Sequence, residues 1–114
     1  MVDEVTPEEV HERLESEDAP QVIDIRNEAE FEQGHIPGAI NVPMTELPSR
    51  IDEIEWGDDV VVACPIGQSS IQAARLIGSY EDVEDAENVR SMSGGYQAWD
   101  YELESGSETT PAEE

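Results

Sequence analysis

Short β-branched runs alternate along this chain of 114 residues with segments of helical pattern, and this alternation restricts the fold more than any other feature. The apolar runs occupy residues 21–25, 39–42, 60–64 and 89–92. Helical patterns occupy residues 7–16, 28–33, 45–54 and 70–78, and a closing helix is expected after residue 95. Strands that alternate with helices are typical of parallel sheets. The sequence therefore predicts an α/β fold: a central, mostly parallel sheet of about five short strands with helices on both faces.

The length is that of one domain. We expect residues 1–104 to form it and residues 105–114 to be a disordered acidic tail, because that segment has no aliphatic side chain larger than alanine. No apolar run is long enough to span a bilayer, and the acidic start lacks the layout of a signal peptide. A single cysteine excludes an internal disulfide. These features predict a cytoplasmic protein without a membrane partner.

The charge balance is extreme: 29 acidic residues stand against five basic ones, giving a formal net charge of −24. Such self-repulsion destabilises a compact chain in dilute buffer. At about 1 M salt the Debye length falls to about 3 Å, and most of the repulsion is screened. We therefore hypothesise that the protein comes from a salt-adapted organism. Nucleic acid and anionic membranes are excluded as partners by the same charge.

The one cysteine, Cys64, ends the most apolar run, and a short loop and a helical pattern follow it. In that setting backbone N–H groups and the helix dipole favour a negative charge, which lowers the pKa of a thiol. The alternative is a buried cysteine that serves as a small hydrophobic residue. The local pattern alone leaves both interpretations open.

Three segments resemble the single-domain rhodaneses, a family of sulfurtransferases. Residues 22–43, VIDIRNEAEFEQGHIPGAINVP, are similar to the family signature D-[VI]-R…E-[FY]-x-x-G-H-I-x-G-A-x-[NH]-[IV]-P. Residues 64–70, CPIGQSS, resemble its active loop, C-x-x-G-x-[RS]-S, and residues 94–99, GGYQAW, its closing G-G-x-x-x-W. The resemblance implies a rhodanese-like fold and sulfur transfer without a cofactor.

By this resemblance, Cys64 attacks the sulfane sulfur of a donor such as thiosulfate and becomes a persulfide, which cyanide or a thiol then accepts. The expected partners are a small sulfur-containing anion or a protein persulfide donor, and a thiol or sulfur-carrier acceptor. No cysteine and histidine lie at ligand spacing, so no metal site is expected. The substrate- and persulfide-binding loop would consist of Pro65, Ile66, Gly67, Gln68, Ser69 and Ser70.

Two departures from the family pattern affect the expected donor. Many members have arginine at the position of Ser69, and often another at that of Pro65, which has no N–H to offer an anion. Thiosulfate use is therefore in question, and the alternative is a persulfide carrier or binding module that acts between proteins. A phosphatase is disfavoured because position 70 is Ser70 rather than a phosphate-clamping arginine. A catalytically silent domain is disfavoured because Cys64 and Gly67 are retained.

Several other side chains have two interpretations. Asp24 and Arg26 either brace the active loop or form an internal pair that fixes a turn, and we favour the pair. Ser69 or Ser70 either donates a hydroxyl to the site or caps the following helix. The remaining predictions concern residues outside the loop: His35 orders a turn, His11 is a solvated surface residue, and the closing helix buries Tyr96, Trp99 and Leu103.

Overall fold

Five parallel strands form the centre of the computed structural model, which describes residues 2–17, 19–57, 59–80, 83 and 86–105. The strands are β1 (Glu4–Val5), β2 (Gln21–Asp24), β3 (Ile40–Asn41), β4 (Val60–Ala63) and β5 (Val89–Met92). Their order is β1-β5-β4-β2-β3, and each neighbouring pair is parallel. The predicted α/β fold with a parallel sheet of about five strands is confirmed. The predicted tail lies, except for Ser105, outside the described residues.

The helices are α1 (Pro7–Leu14), α2 (Glu28–Gln33), α3 (Leu47–Arg50) and α4 (Ser69–Gly78), with 3₁₀ turns at Ile51–Glu53, Ala86–Asn88 and Gly95–Ala98. Local caps explain where two of them begin. The Thr6 hydroxyl accepts a hydrogen bond of 3.1 Å from the N–H of Glu9 at the start of α1. The Asn27 side chain accepts one of 2.8 Å from the N–H of Glu30 at the start of α2.

Side chains alternate across the sheet and divide the core into two layers. The first layer contains Ile23, Val60 and Val62 and packs against buried side chains of α3 and α4. The second contains Val22 and Val61 and packs against side chains of α1 and α2 and against Trp99. Helices therefore cover both faces, as predicted.

The predicted closing helix is wrong. Only a 3₁₀ turn forms at Gly95–Ala98, after which the chain pairs with His35 as a single antiparallel bridge to Glu104. This return path keeps Trp99 buried but leaves Leu103 48% exposed and Tyr96 only partly buried. The N–H groups of Tyr96 and Gln97 donate to the carbonyls of Cys64 and Pro65, so this short turn is bound to the loop that follows β4.

Strand β1 was not predicted, because two residues among acidic neighbours give no periodic signal. Its parallel pairing, Glu4 with Ser91 and Val5 with Met92, makes β5 an internal strand rather than the edge of the sheet. The helix predicted at residues 45–54 is instead the short α3 followed by a 3₁₀ turn. His11 is half-buried rather than solvated, and its ring stacks on Tyr101 with 3.9 Å between centroids.

Candidate active site

The ends of two adjacent strands bring the predicted site residues together. Asp24 in β2 is in register with Ala63 in β4, so the residues that follow both strands lie at the same edge of the sheet. The pairing extends one step further, since the N–H of Ile25 donates to the Ala63 carbonyl at 3.0 Å. This edge, at the carboxyl ends of parallel strands, is where open α/β sheets bind their ligands.

Hydrogen-bond donors of the loop and of α4 converge on the buried Cys64 thiol. The N–H of Gly67 donates to Sγ at 3.0 Å and the N–H of Ser70 at 3.3 Å, while the Ser70 Oγ lies 3.3 Å from Sγ. Burial raises the pKa of the thiol, but the hydrogen bonds of the Ser70 hydroxyl and of the N–H groups of Ser70, Gly67 and Ile66 lower it by more. The pKa of Cys64 therefore lies below its ordinary value.

The turn that follows β5 and begins at Gly94 binds the backbone of the loop after Cys64. Tyr96 N donates to the Cys64 carbonyl and Gln97 N to the Pro65 carbonyl, each at 2.9 Å. Gly67 has φ +88°, and a Cβ there would lie 2.7 Å from the backbone N of Gly94. A Cβ on Gly95 would overlap the Cys64 carbonyl oxygen. The close approach of these two backbones therefore requires glycine on both sides.

The loop has an inner and an outer side. Of the predicted loop residues, Gly67 and Ser70 are buried and contact the thiol, whereas the other four are exposed: Pro65, Ile66, Gln68 and Ser69. The N-cap of α4 is Gln68, not a serine, so the capping interpretation of Ser69 and Ser70 is wrong. The Ser70 hydroxyl instead lies between Cys64 and the next strand.

Asp24 and Arg26 form the predicted internal pair. The buried Asp24 carboxylate accepts hydrogen bonds from the backbone N–H of Arg26 at 2.9 Å, from its Nε at 3.2 Å and from its Nη2 at 3.0 Å. Burial lowers the pKa of Arg26, but the hydrogen bond and the charge of Asp24 raise it by more. The guanidinium is thus held as a cation whose charge is matched within the fold.

Tyr96 joins this pair to the active loop. Its hydroxyl donates to Asp24 Oδ2 at 2.8 Å and accepts from the N–H of Ile36 at 3.0 Å, and Arg26 lies over its ring at 3.6 Å from the centroid. Since the backbone N–H of Tyr96 also binds the Cys64 carbonyl, one residue links both strand ends. No local sequence pattern indicates this role, and the predicted burial of Tyr96 in the core accounts for its ring but not for its hydroxyl.

Two further buried polar residues lie near this edge. His35 orders its turn as predicted: Nδ1 lies 2.8 Å from the Phe31 carbonyl oxygen, and the ring stacks on Phe31. Ser91 was not singled out, yet its buried Oγ lies 2.6 Å from the Ser70 Oγ. The available signal was a serine at the inward position of a strand, two residues after the buried Val89.

An open pocket of about 550 Å³ adjoins the outer side of the loop. Its lining includes Ile66, Tyr96 and Leu103, and Arg26 and Glu30 add charged groups. Ile66 and Leu103 are the most exposed large apolar side chains of the described chain, at 51% and 48%. A partner that approaches the loop therefore meets an apolar surface beside it.

Comparison with known proteins agrees with this geometry. The family model of the rhodanese-like domain matches residues 6–102. The chain belongs to the rhodanese-like domain family. It is 36% identical over 99 residues to a sulfurtransferase of Allochromatium vinosum, a match that covers 87% of this chain and 89% of the relative. It is also 31% identical over 97 residues to the thiosulfate sulfurtransferase GlpE of Glaesserella parasuis, with 84% of each chain covered.

The solved structures agree as well. The rhodanese-like domain of the Anabaena protein Alr3790, determined by NMR, matches with a TM-score of 0.78 and 28% identity, over 97% of this chain and 86% of that one.

Within the described residues, no helix of this rhodanese-like chain has the length and apolar character needed to cross a membrane.

Proposed function

We propose that this chain is a sulfurtransferase that carries sulfane sulfur as a persulfide on Cys64. The observation that carries the proposal is the convergence of the Gly67 and Ser70 N–H groups on a buried Sγ of lowered pKa. Such a site stabilises a thiolate, the form of cysteine that acts as a nucleophile.

The proposed reaction has two displacement steps. The Cys64 thiolate attacks the sulfane sulfur of thiosulfate, a Cys64 S–S bond forms, and sulfite leaves with the electron pair of the broken S–S bond. An acceptor thiolate or cyanide then attacks the outer sulfur of the persulfide, and Cys64 leaves as a thiolate. The reaction therefore divides one sulfur transfer into two displacement steps, which predicts ping-pong kinetics.

The first turn of α4 favours this chemistry. The first N–H groups of a helix have no intrahelical partner and carry the positive end of its dipole. In this chain they follow directly on the loop, because α4 begins at Ser69. They support the anionic outer sulfur of a persulfide without a cationic side chain.

Thiosulfate is the donor we propose, with support from the relative named as a thiosulfate sulfurtransferase. The loop favours weak rather than rapid use of this dianion. Residues 64–70 contain no lysine or arginine, Pro65 has no N–H, and the guanidinium of Arg26 is bound by Asp24. The same features favour a second candidate, a persulfide carrier between proteins that receives sulfur from a protein persulfide rather than from the thiosulfate dianion.

The decisive experiment measures thiosulfate-to-cyanide transfer in dilute buffer and in molar KCl, with intact mass spectrometry on the same samples. We expect turnover and one added sulfur atom in the native protein, and neither in Cys64→Ser. Ser79→Ala, in which an exposed hydroxyl at the far end of α4 is removed, is the control and should behave as native. An added sulfur without turnover would favour the carrier. Neither signal, with thiosulfate or with a protein persulfide donor, would contradict both candidates.

A further inference from the structure

We propose that Ser91 is a positioning residue that directs the Ser70 hydroxyl onto the Cys64 sulfur. The inference rests on the proposed role of Cys64 as a nucleophile, but it concerns how the thiolate is prepared rather than what it attacks. Ser91 does not touch Sγ itself. It acts through one intermediate hydroxyl, over distances of 2.6 Å (Ser91 Oγ to Ser70 Oγ) and 3.3 Å (Ser70 Oγ to Sγ).

The strand register explains why these side chains meet. Ser91 is paired with Val62 in β4, and Val62 lies two residues before Cys64. Residues two apart along a strand share a face, so Cys64 extends the face that α4 covers. Val62 and Cys64 both belong to the α4-side layer of the core, as does Val89, two residues before Ser91. Ser70, in the first turn of α4, therefore lies between the two strands.

The number of hydrogens on Cys64, Ser70 and Ser91 determines which group donates in each of the two hydrogen bonds. A serine hydroxyl has one hydrogen to donate and can accept from others. When Cys64 is a thiolate, Ser70 donates its hydrogen to Sγ, and the contact of 2.6 Å is made by the Ser91 hydroxyl donating to Ser70 Oγ. When Cys64 is a thiol, its S–H donates to Ser70 Oγ, and Ser70 then donates to Ser91. Ionisation of the thiol thus reverses both hydrogen bonds.

The hydrogen bonds that run from Ser91 through Ser70 to Cys64 affect the thiolate strongly because the two hydroxyl groups are buried. Hydrogen bonds in series polarise one another, and a hydroxyl that already accepts a hydrogen bond is a better donor. Ser70 and Ser91 each have no exposed surface, so water does not replace a missing partner of either hydroxyl. Without Ser91, Ser70 would still reach Sγ, but as a weaker donor that is less firmly oriented.

The charged side chains near Cys64, Ser70 and Ser91 do not account for the lowered pKa of the thiol. Asp24 and Arg26, at the neighbouring strand end, are bound to each other. Arg75 on α4 is exposed, and Arg90 points to the opposite face of β5 from Ser91. The strongest influences on the pKa of the thiol are burial and the hydrogen bonds of Ser70, Gly67 and Ile66.

The test is the pH dependence of Cys64 alkylation by iodoacetamide, which requires no sulfur donor. Ser91→Ala should raise the apparent pKa of the thiol and lower its alkylation rate at neutral pH by about two- to tenfold, the range expected for one hydrogen bond. Ser70→Ala should have a larger effect. The double variant should match Ser70→Ala alone, because Ser91 acts only through Ser70.

A matched pair separates the hydroxyl from the shape of the side chain. Ser91→Thr and Ser91→Val have the same branched shape, but only threonine retains the hydroxyl. We expect the threonine variant to keep the native pH profile and the valine variant to show the shift seen in Ser91→Ala. The control is Ser93→Ala, near the end of the same strand, whose hydroxyl donates to the Val5 carbonyl and not to the site.

The outcomes distinguish this inference from the proposed function. A native pH profile in Ser91→Ala and Ser91→Val, or an additive shift in the double variant, would overturn the inference even if sulfur transfer is observed. Equal shifts in the threonine and valine variants would also overturn it, because packing would then be the cause. The expected shifts without any sulfur transfer would support the hydroxyl chain and leave only the proposed function refuted.

Discussion

The ends of β2 and β4 lie side by side, yet they stabilise negative charge in opposite ways. At the end of β2, the Asp24 carboxylate is buried with its counter-ion, Arg26, and accepts a further hydrogen bond from Tyr96. At the end of β4, Sγ of Cys64 is surrounded by neutral donors and has no cationic partner within the loop. The charge of Asp24 is neutralised by Arg26 and stabilises the fold. A Cys64 thiolate stabilised only by neutral donors would instead remain able to react.

The largest expected effect comes from breaking the β2 pair. Asp24→Ala leaves the guanidinium of Arg26 with its main counter-ion removed in a site where the side chain is only 11% exposed. Removal of one partner of a buried pair costs about 3–5 kcal/mol. We therefore expect the free energy of unfolding, measured by urea denaturation in molar KCl, to fall by about that amount.

An exposed pair provides the matched control. Glu46→Ala breaks the surface pair with Arg50, and such pairs contribute less than about 1 kcal/mol. Cys64→Ser should likewise change the stability little while abolishing sulfur transfer. If Asp24→Ala lowered activity but left the stability near native, the distinction between an architectural and a reactive strand end would be wrong.

The next effect tests the link between the two ends. Tyr96→Phe removes a hydrogen bond to a carboxylate, which contributes about 1.5–3 kcal/mol. Burial, and then the charge of Asp24, raise the pKa of Tyr96 above its ordinary value. An unfolded tyrosine ionises near pH 10 whereas the folded one keeps its proton, so this contribution is full below about pH 10 and is lost as the pH rises.

The measurement is the free energy of unfolding of native protein and Tyr96→Phe from neutral to strongly alkaline pH. The gap between them should be largest at neutral pH and narrow above about pH 10. A double variant with Asp24→Ala should show a coupling energy, since the two side chains share one hydrogen bond. Strictly additive losses would mean that Tyr96 does not join the two ends through Asp24.

A smaller effect of opposite sign is expected at the β4 end. Because the pKa of Cys64 is lowered, its contribution to stability is present above the ordinary thiol value of about 8.5 and is lost as the pH falls through the lowered value. Relative to Cys64→Ser, the native protein should therefore become more stable as the pH rises from acidic to alkaline values. Urea unfolding of both proteins across that range checks this, and a difference that shrinks with rising pH would contradict it.

The sequence was sufficient for features that depend on local pattern. The β-branched runs identified four of the strands, and the motif around Cys64 identified the loop whose N–H groups contact Sγ. Features that depend on distant contacts were missed: Tyr96 meets Asp24 across 72 residues, and Ser91 meets Ser70 across 21. Neither contact leaves a periodic trace, since each depends on which strands become neighbours and on where the chain turns after Gly95.

The smallest expected effect concerns the net charge of −24, which surrounds a reactive end without a cation of its own in residues 64–70. Neutral iodoacetamide and anionic iodoacetate alkylate the same thiolate, so the ratio of their rates reports the local potential. In dilute buffer iodoacetate should be disfavoured several-fold compared with its reaction with free cysteine. In molar KCl, where the Debye length is about 3 Å, the disadvantage should largely disappear.

Arg75→Gln, which removes an exposed cation from α4, provides a reference for how much one distant charge contributes. A ratio independent of salt would mean that Cys64 is shielded from the surface charge. The weak use of thiosulfate proposed above would then be due to the loop alone, and Pro65 would be the first residue to replace.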